Sequence, residues 1–151
     1  MRVIPIEYGS AEYEEMLVLR RRFLREPLGL PLSDKDVLGE EGQHHFALQT
    51  EDGKTIGGLI GKPIADSGDD TVQIRQVVVH EDNRRTGCGT KLMAEAEGHL
   101  ARLGFARFVL YAREESASFY ERCGYQRTGE SKELLGLLHV RMEKTNAAGG
   151  G

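Results

Sequence analysis

The chain has 151 residues and a formal net charge of −4 at pH 7, with 20 Lys and Arg against 24 Asp and Glu. Hydrophobic residues make up 39% and charged residues 29%, which is typical of one soluble globular domain. The acidic balance and the lack of a long basic run argue against general nucleic-acid binding. No apolar run approaches the ~20 residues of a membrane span, and neither cysteine has metal-ligand spacing. We therefore expect a cytoplasmic protein with free thiols at Cys88 and Cys123.

The first half of the chain predicts a strand, a helix and a hairpin. Two prolines follow the helix and end it, and turn residues separate the two alternating strands of the hairpin. The run Arg20–Arg22 is interpreted as a solvated helix face. The elements predicted here are a strand at 2–8, a helix from Ser10 to about Arg25, a loop at 26–34, strands at 44–50 and 55–61 with a turn at 51–54, and a further turn at 65–70.

The second half predicts two buried strands, each followed by a helix. The consecutive valines 77–79 leave no polar face, so their strand is expected to lie in the centre of the sheet. The elements are a strand at 72–79, a helix ending near Gly104, a strand at 105–112, a helix at 116–124 with Ser116 as its predicted cap, and a last strand or strand pair within 134–144. This order indicates one α+β (mixed α/β) domain over 1–145, with a disordered tail at 146–151.

Two arginines and two glycines lie between the predicted central strand and the following helix, in the sequence NRRTGCGTKLM at 83–93. A nucleotide P-loop is excluded because Thr90 and Lys91 stand in the reverse order. A dinucleotide fingerprint lacks its third glycine, since Leu92 occupies that position. The remaining pattern, R-x-x-G-x-G from Arg84 to Gly89, would present backbone N–H groups and a helix N-terminus to a pyrophosphate. A plain tight turn is the alternative that spacing alone leaves open.

A second motif follows about thirty residues later, Phe119-Tyr120-Glu121-Arg122-Cys123-Gly124-Tyr125. Together the two motifs resemble the GNAT superfamily of acyl-CoA-dependent N-acetyltransferases over about residues 71–128. The resemblance implies a central, mostly antiparallel twisted sheet of six to seven strands, splayed central strands and about four flanking helices. It also implies acetyl-CoA as cosubstrate and no metal.

Site residues are carried over from this resemblance by position. The backbone N–H of Val77 is expected to polarise the thioester carbonyl, as a fixed donor in a dry site does. Tyr120 is expected to act as general acid toward the departing thiolate. The residues expected to bind the coenzyme are Val77, Val79, Arg84, Arg85, Thr86, Gly87, Cys88, Gly89 and Thr90.

The sequence does not decide which residue acts as the general base. An amine with a pKa near ~10.4 is protonated at pH 7, so a proton has to be removed before the amine attacks. Some family members use a glutamate on the central strand, but the matching position here is Gln73, which cannot serve. His139 on the last strand is the catalytic candidate, with His80, Glu81 or a water chain as alternatives.

Two functions follow from the resemblance. The first is acetyl transfer from acetyl-CoA to a primary amine of a small molecule or of a protein or peptide, by a monomer or homodimer. The alternative is a non-catalytic acyl-CoA-binding or sensor module. The acceptor cannot be identified from the sequence. The acidic residues of the loop would either hold a cationic amine or form an exposed surface: Asp34, Asp36, Glu40 and Glu41.

Overall fold

The computed structural model of the protein describes residues 1–65 and 70–145. In these residues the strands are β1 (Arg2–Ile6), β2 (His44–Gln49), β3 (Thr55–Pro63), β4 (Thr71–Val79), β5 (Arg107–Arg113), β6 (Gln126–Leu134) and β7 (Leu137–Thr145). The α-helices are α1 (Ala11–Arg20), α2 (Cys88–Arg102) and α3 (Ala117–Arg122). The predicted α+β fold is confirmed. Most of the turn predicted at 65–70 and the whole tail at 146–151 lie outside the described residues.

One sheet carries the fold, in the strand order β1-β2-β3-β4-β5-β7-β6. Every neighbouring pair is antiparallel except β4 and β5, which run parallel and are connected through α2. These two strands pair only at their beginnings, from Thr71 with Arg107 to Gln73 with Val109. Beyond that point β4 and β5 diverge, so the predicted splay of the central strands is confirmed.

A β-bulge changes the direction of β4 just where it leaves β5. The register with β3 shifts by one residue between the pairs Ile60–Arg75 and Gly58–Val78. Gln76 lies in this shift with a φ of 55°, a conformation that non-glycine residues rarely adopt. Bulges bend a strand and re-aim its side chains, and this one turns the end of β4 away from β5.

The sheet has a helix on each face. On one face α2 buries apolar side chains that recur at helical spacing, Leu92, Met93, Ala96 and Leu100. On the other face Met16 and Leu19 of α1 pack against Ala47 and Val78. A side chain at Gly58 would place its Cβ 2.5 Å from the Met16 sulfur, so glycine is needed where α1 crosses the sheet.

The helix predicted from Ser10 to about Arg25 is confirmed in its extent, although its last part is a π-helical segment, Arg21–Arg25. Other local predictions were wrong. Arg20 does not belong to a solvated face, since it is 1% exposed. Ser116 makes no side-chain capping hydrogen bond to α3. The last strand pair is longer than predicted, because β6 already begins at Gln126.

Candidate active site

The divergence of β4 from β5 opens a cavity of about 550 Å³. Its walls come from both strands, from the π-helical segment, from α3 and from the β6–β7 hairpin. Three of the predicted site residues line it: Val77 at the bulge, Tyr120 on α3 and His139 on β7. The bulge and the splay therefore bring together residues that are up to 62 positions apart in the sequence.

Tyr120 contributes a hydroxyl group that has no hydrogen-bond partner in the described part of the chain. The ring is half-buried and packs at centroid distances of 5.0 Å from Phe119 and 6.1 Å from Tyr125. Burial, and to a smaller extent the neighbouring Cys123 thiol, raises the pKa of Tyr120 above its ordinary value of 10.0. The hydroxyl is therefore protonated at neutral pH and available to donate.

Tyr125, the second tyrosine of the motif, is structural. Its hydroxyl donates to Glu97 Oε2 at 2.9 Å, and Lys144 Nζ donates to Glu97 Oε1 at 2.7 Å. Lys144 Nζ also donates to the Cys123 carbonyl at 2.8 Å, at the end of α3. This buried network ties α3 to α2 and β7, and so fixes the helix that carries Tyr120.

The imidazole ring of His139 is oriented by a hydrogen bond to the backbone carbonyl of Leu137. Its Nδ1 lies 2.9 Å from the Leu137 carbonyl oxygen, which can only accept a hydrogen bond. Nδ1 therefore carries the proton in the neutral ring, and Nε2 keeps a lone pair that can accept one. The side chain lines the cavity and can serve as a proton acceptor there.

The two alternative bases lie elsewhere. His80 Nδ1 accepts a hydrogen bond from the Asp82 backbone N–H at 3.1 Å. Glu81 is 56% exposed and lies 3.7 Å from Arg22. Neither side chain lines the cavity, whereas Gln73 does, as an amide that cannot take up a proton.

The loop formed by the first motif, Arg84–Gly89, lies at the N-terminus of α2 and is called the glycine loop below. Gly87 precedes the helix with a φ of 85°, and a Cβ there would have no atom within 4 Å. The first intrahelical bond joins Lys91 N–H to the Gly87 carbonyl, so the N–H groups of residues 88–90 have no helical acceptor. Arg85 and Thr86 are exposed beside them. The loop thus offers backbone donors and positive charge to solvent.

Two loop residues also have packing roles that the sequence did not predict. Cys88 is 2% exposed, with its sulfur 3.2 Å from the Met1 sulfur, so its thiol is buried and is not presented to solvent. A Cβ at Gly89 would lie 3.1 Å from the Phe119 ring. The loop and the second motif are therefore in direct contact, and any larger residue at 89 would require the Phe119 ring to shift.

Val79 is linked to the loop through its backbone. His80 N–H donates to the Ile56 carbonyl at 2.7 Å, which makes these two a hydrogen-bonded pair of the β3–β4 ladder. In an antiparallel ladder the next pair is not hydrogen-bonded, so the N–H and C=O of Val79 face the side where β4 has left β5. Arg84 Nε donates to the Val79 carbonyl at 3.0 Å.

The acidic loop residues do not form a cation site. Glu40 is fully buried, and its two carboxylate oxygens each accept a hydrogen bond from Arg20 at 2.8 Å. Asp36 caps its own turn and lies 3.4 Å from Arg25. The expectation of an exposed acidic surface is wrong for Glu40. Arg20 recurs with Tyr13 and Met16 at helical spacing, which was the signal for its burial.

Neither a metal site nor a membrane-spanning helix is found in the ranges 1–65 and 70–145. No group of three or more His, Cys, Asp or Glu side chains there could hold a metal ion. No helix there is both long enough and apolar enough to cross a bilayer.

Comparison with known proteins gives the family. Residues 32–146, more than half of the chain, match the model of the acetyltransferase (GNAT) domain. A Bacillus subtilis (strain 168) protein named "Putative acetyltransferase BSU40680" is 25% identical over 130 residues, which cover 83% of this chain and 84% of the relative. The chain therefore belongs to the GNAT acetyltransferase family.

Solved structures share the fold. A crystal structure named as a "putative N-acetyltransferase from Lactobacillus plantarum" has a TM-score of 0.84 at 23% identity, covering 96% of this chain and 97% of that chain. An aminoglycoside 6'-N-acetyltransferase complexed with coenzyme A has a TM-score of 0.75 at 18% identity, with coverage of 96% and 97%. At these identities the likeness concerns the fold.

Proposed function

We propose that the protein transfers an acetyl group from acetyl-CoA directly to a primary amine of a small molecule or of a protein or peptide. The observation that carries the proposal is the cavity between β4 and β5, which Val77, Tyr120 and His139 all line. A family member that merely bound an acyl-CoA would need neither a free tyrosine hydroxyl nor an unprotonated imidazole nitrogen at that point.

The arrangement fits coenzyme A. The N–H groups of residues 88–90 that have no helical acceptor, with Arg84 and Arg85, suit a pyrophosphate, and the open space at Gly87 leaves room for its oxygens. The backbone N–H of Val79, on the side where β4 has left β5, suits an amide oxygen of the pantetheine arm. When bound, acetyl-CoA supplies an acetyl group activated as a thioester.

Three groups of this chain would then share the chemistry. His139 Nε2 accepts a proton from the amine, which leaves a nucleophilic lone pair. The N–H of Val77 donates to the oxygen on which negative charge develops. Tyr120, whose hydroxyl is protonated at neutral pH, donates a hydrogen bond or its proton to the departing sulfur.

Turnover is the direct test of this proposal. We expect the protein to release free coenzyme A thiol from acetyl-CoA in the presence of at least one amine from a panel of amino acids, peptides, amino sugars and polyamines. The measurement is a colorimetric thiol assay, with acetylated product identified by mass spectrometry. Tight binding of acetyl-CoA without thiol release on any acceptor would favour the sensor function instead.

Gly87→Val should weaken acetyl-CoA binding by roughly 100-fold, because the new side chain stands where phosphate oxygens must approach the backbone. The substitution also costs about 1–2 kcal/mol of stability, because valine is strained at a φ of 85°. Gly53→Val is the matched control, since Gly53 has a φ of 86°, equally open surroundings and a place in the β2–β3 turn.

Calorimetric titration of both folded variants separates strain from binding. The Gly53→Val protein should show a similar loss of thermal stability and an unchanged dissociation constant. Normal acetyl-CoA affinity in the Gly87→Val protein would show that the loop does not hold the pyrophosphate.

A further inference from the structure

The cavity is basic although the protein is acidic overall. Among the described residues that line it there is no Asp or Glu, whereas five are cationic: Arg25, Lys62, Arg75, Arg113 and Lys132. The whole chain, by contrast, carries a net charge of −4. A concave site lined by one sign of charge concentrates ligands of the opposite sign.

Most of this positive charge is not neutralised by the protein. Arg25 has Asp36 at 3.4 Å, and Arg113 forms an ion pair with Glu115. The ammonium group of Lys132 lies 3.9 Å from the centre of the Tyr111 ring. The lining cations that have no ion pair within residues 1–65 and 70–145 are Lys62, Arg75 and Lys132.

Arg75 is half-buried and forms no ion pair with another described residue. It lies on β4, two residues from Gln73 and on the same face, and Lys62 faces Gln73 across the β3–β4 ladder. The side chain of Arg75 donates one hydrogen bond, from Nη1 to Gln43 Oε1 at 3.1 Å, and this glutamine amide is neutral. Burial lowers the pKa of Arg75, but a guanidinium stays charged at neutral pH. The negative charge that acts on Arg75 is that of Glu40, which already forms an ion pair with Arg20. Burial of a cation without an ion pair of its own is unfavourable, and a bound anion would reduce that cost.

Arg25 has unused hydrogen-bonding capacity as well. It lines the cavity from the π-helical segment and is 6% exposed. Its Nε is buried and has no hydrogen-bond partner among the described residues. Both arginines lie on the β4 side of the cavity, opposite Tyr120 and His139 on α3 and β7.

We infer that the acceptor is an amine that also carries an anionic group, a carboxylate or a phosphate, bound by Arg75 and Arg25 while the amine lies toward His139 and Tyr120. This inference rests on the proposed function and names its substrate class. The planar fork of arginine matches both anions with two parallel hydrogen bonds. A polyamine or an aminoglycoside would bring further positive charge into a cavity that already holds an excess of it.

Matched pairs of amines test this inference. The members of each pair share the same amine-bearing skeleton, and only one of them carries the anionic group: an amino acid and its carboxamide, a dipeptide and its C-terminal amide, an amino-sugar phosphate and the free amino sugar. We expect kcat/KM for the anionic member of at least one pair to exceed that of its neutral partner by about 10- to 100-fold, as for hydrogen bonds to charged groups. The preferred pair distinguishes carboxylate from phosphate. Spermidine and kanamycin serve as cationic amines and should be poor acceptors.

Variants of Arg75 assign the preference to this side chain. Arg75→Gln should remove most of the preference for the anionic member, mainly through KM, and Arg75→Lys should retain part of it. Arg107→Gln is the control, because Arg107 lies on β5 outside the cavity lining and pairs with Glu143. A merely structural role of Arg75 would lower the rates for both members of a pair equally.

Two results would overturn the inference. One is a wild-type protein that acetylates neutral or cationic amines at least as well as their anionic partners. The other is an Arg75→Gln protein with an unchanged preference. Thiol release on no amine at all would contradict the proposed function, yet calorimetric binding of the paired amines to both proteins would still test the anion site. Equal affinity for both members of every pair would then refute it, and an Arg75-dependent preference would support it.

Discussion

The Tyr120→Phe protein is expected to lose about 10²- to 10⁴-fold in the single-turnover rate of acetyl transfer, the usual contribution of a general acid. Its affinity for acetyl-CoA should be unchanged, because the substitution removes one oxygen and keeps the ring between Phe119 and Tyr125. Its stability should hardly change either, since the hydroxyl has no hydrogen-bond partner in the described part of the chain. An effect confined to the transition state appears in the rate and not in binding.

Single-turnover rapid quench is the proper measurement, because slow product release could conceal a loss in the chemical step. Tyr8→Phe is a suitable control, as Tyr8 is 46% exposed and does not line the cavity. A Tyr120→Phe protein that transfers acetyl at the full rate would remove Tyr120 from the mechanism and leave thiolate departure to water or backbone donors.

Replacing Glu40 by Gln is expected to lower the free energy of unfolding by about 3–5 kcal/mol, the cost of breaking one half of a buried ion pair. Arg20 is 1% exposed and would lose its counter-charge, and its Nε already has no hydrogen-bond partner in the described residues. Urea denaturation measures the loss. Glu95→Gln is the control, because its pair with Lys91 is 40% exposed on each side and should contribute less than about 1 kcal/mol.

The same pair sets a dependence on pH. Burial alone would raise the pKa of Glu40, but the hydrogen bonds and charge of Arg20, with the Tyr13 hydroxyl, bring it below its ordinary value of 4.5. The contribution of Glu40 to stability is therefore fully present above about pH 4.5 and is lost as the pH falls through the lower folded-state pKa. If the acid unfolding midpoints of wild-type and Glu40→Gln proteins coincided, this linkage would be absent. The double variant Arg20→Met/Glu40→Leu should recover part of the lost stability.

Much of the fold could be predicted from the sequence because the patterns that indicate its helices, strands and turns are local. The valines of β4, the apolar spacing of α2 and the β2–β3 turn each report burial or turn geometry within a few residues. The first motif lies inside one βαβ unit and the second follows that unit, so together they indicated the positions of the loop and of Tyr120. The roles of the loop residues and of Tyr120 and His139 remain predictions that the proposed experiments test.

What the sequence could not show depends on contacts between distant residues. Glu40 reads as one more acidic residue in a polar loop, and its burial follows from Arg20, twenty positions earlier. The bulge at Gln76 has no glycine to mark it. The positive charge of the cavity is assembled from residues between Arg25 and Lys132 that are scattered along the chain. No short window of sequence contains such a site.

The short pairing of β4 with β5 has a consequence for how the molecule holds together. Only the first three residue pairs join the ladder β1–β4 to the ladder β5–β7–β6, and the crossover helix α2 spans both. A molecule bound between the diverging ends of β4 and β5 would form hydrogen bonds with backbone groups that the two strands do not form with each other. Because such a molecule binds the native state alone, occupancy and cooperative unfolding are thermodynamically linked. Acetyl-CoA bound as proposed would complete the sheet between β4 and β5 with a strand that does not belong to the polypeptide.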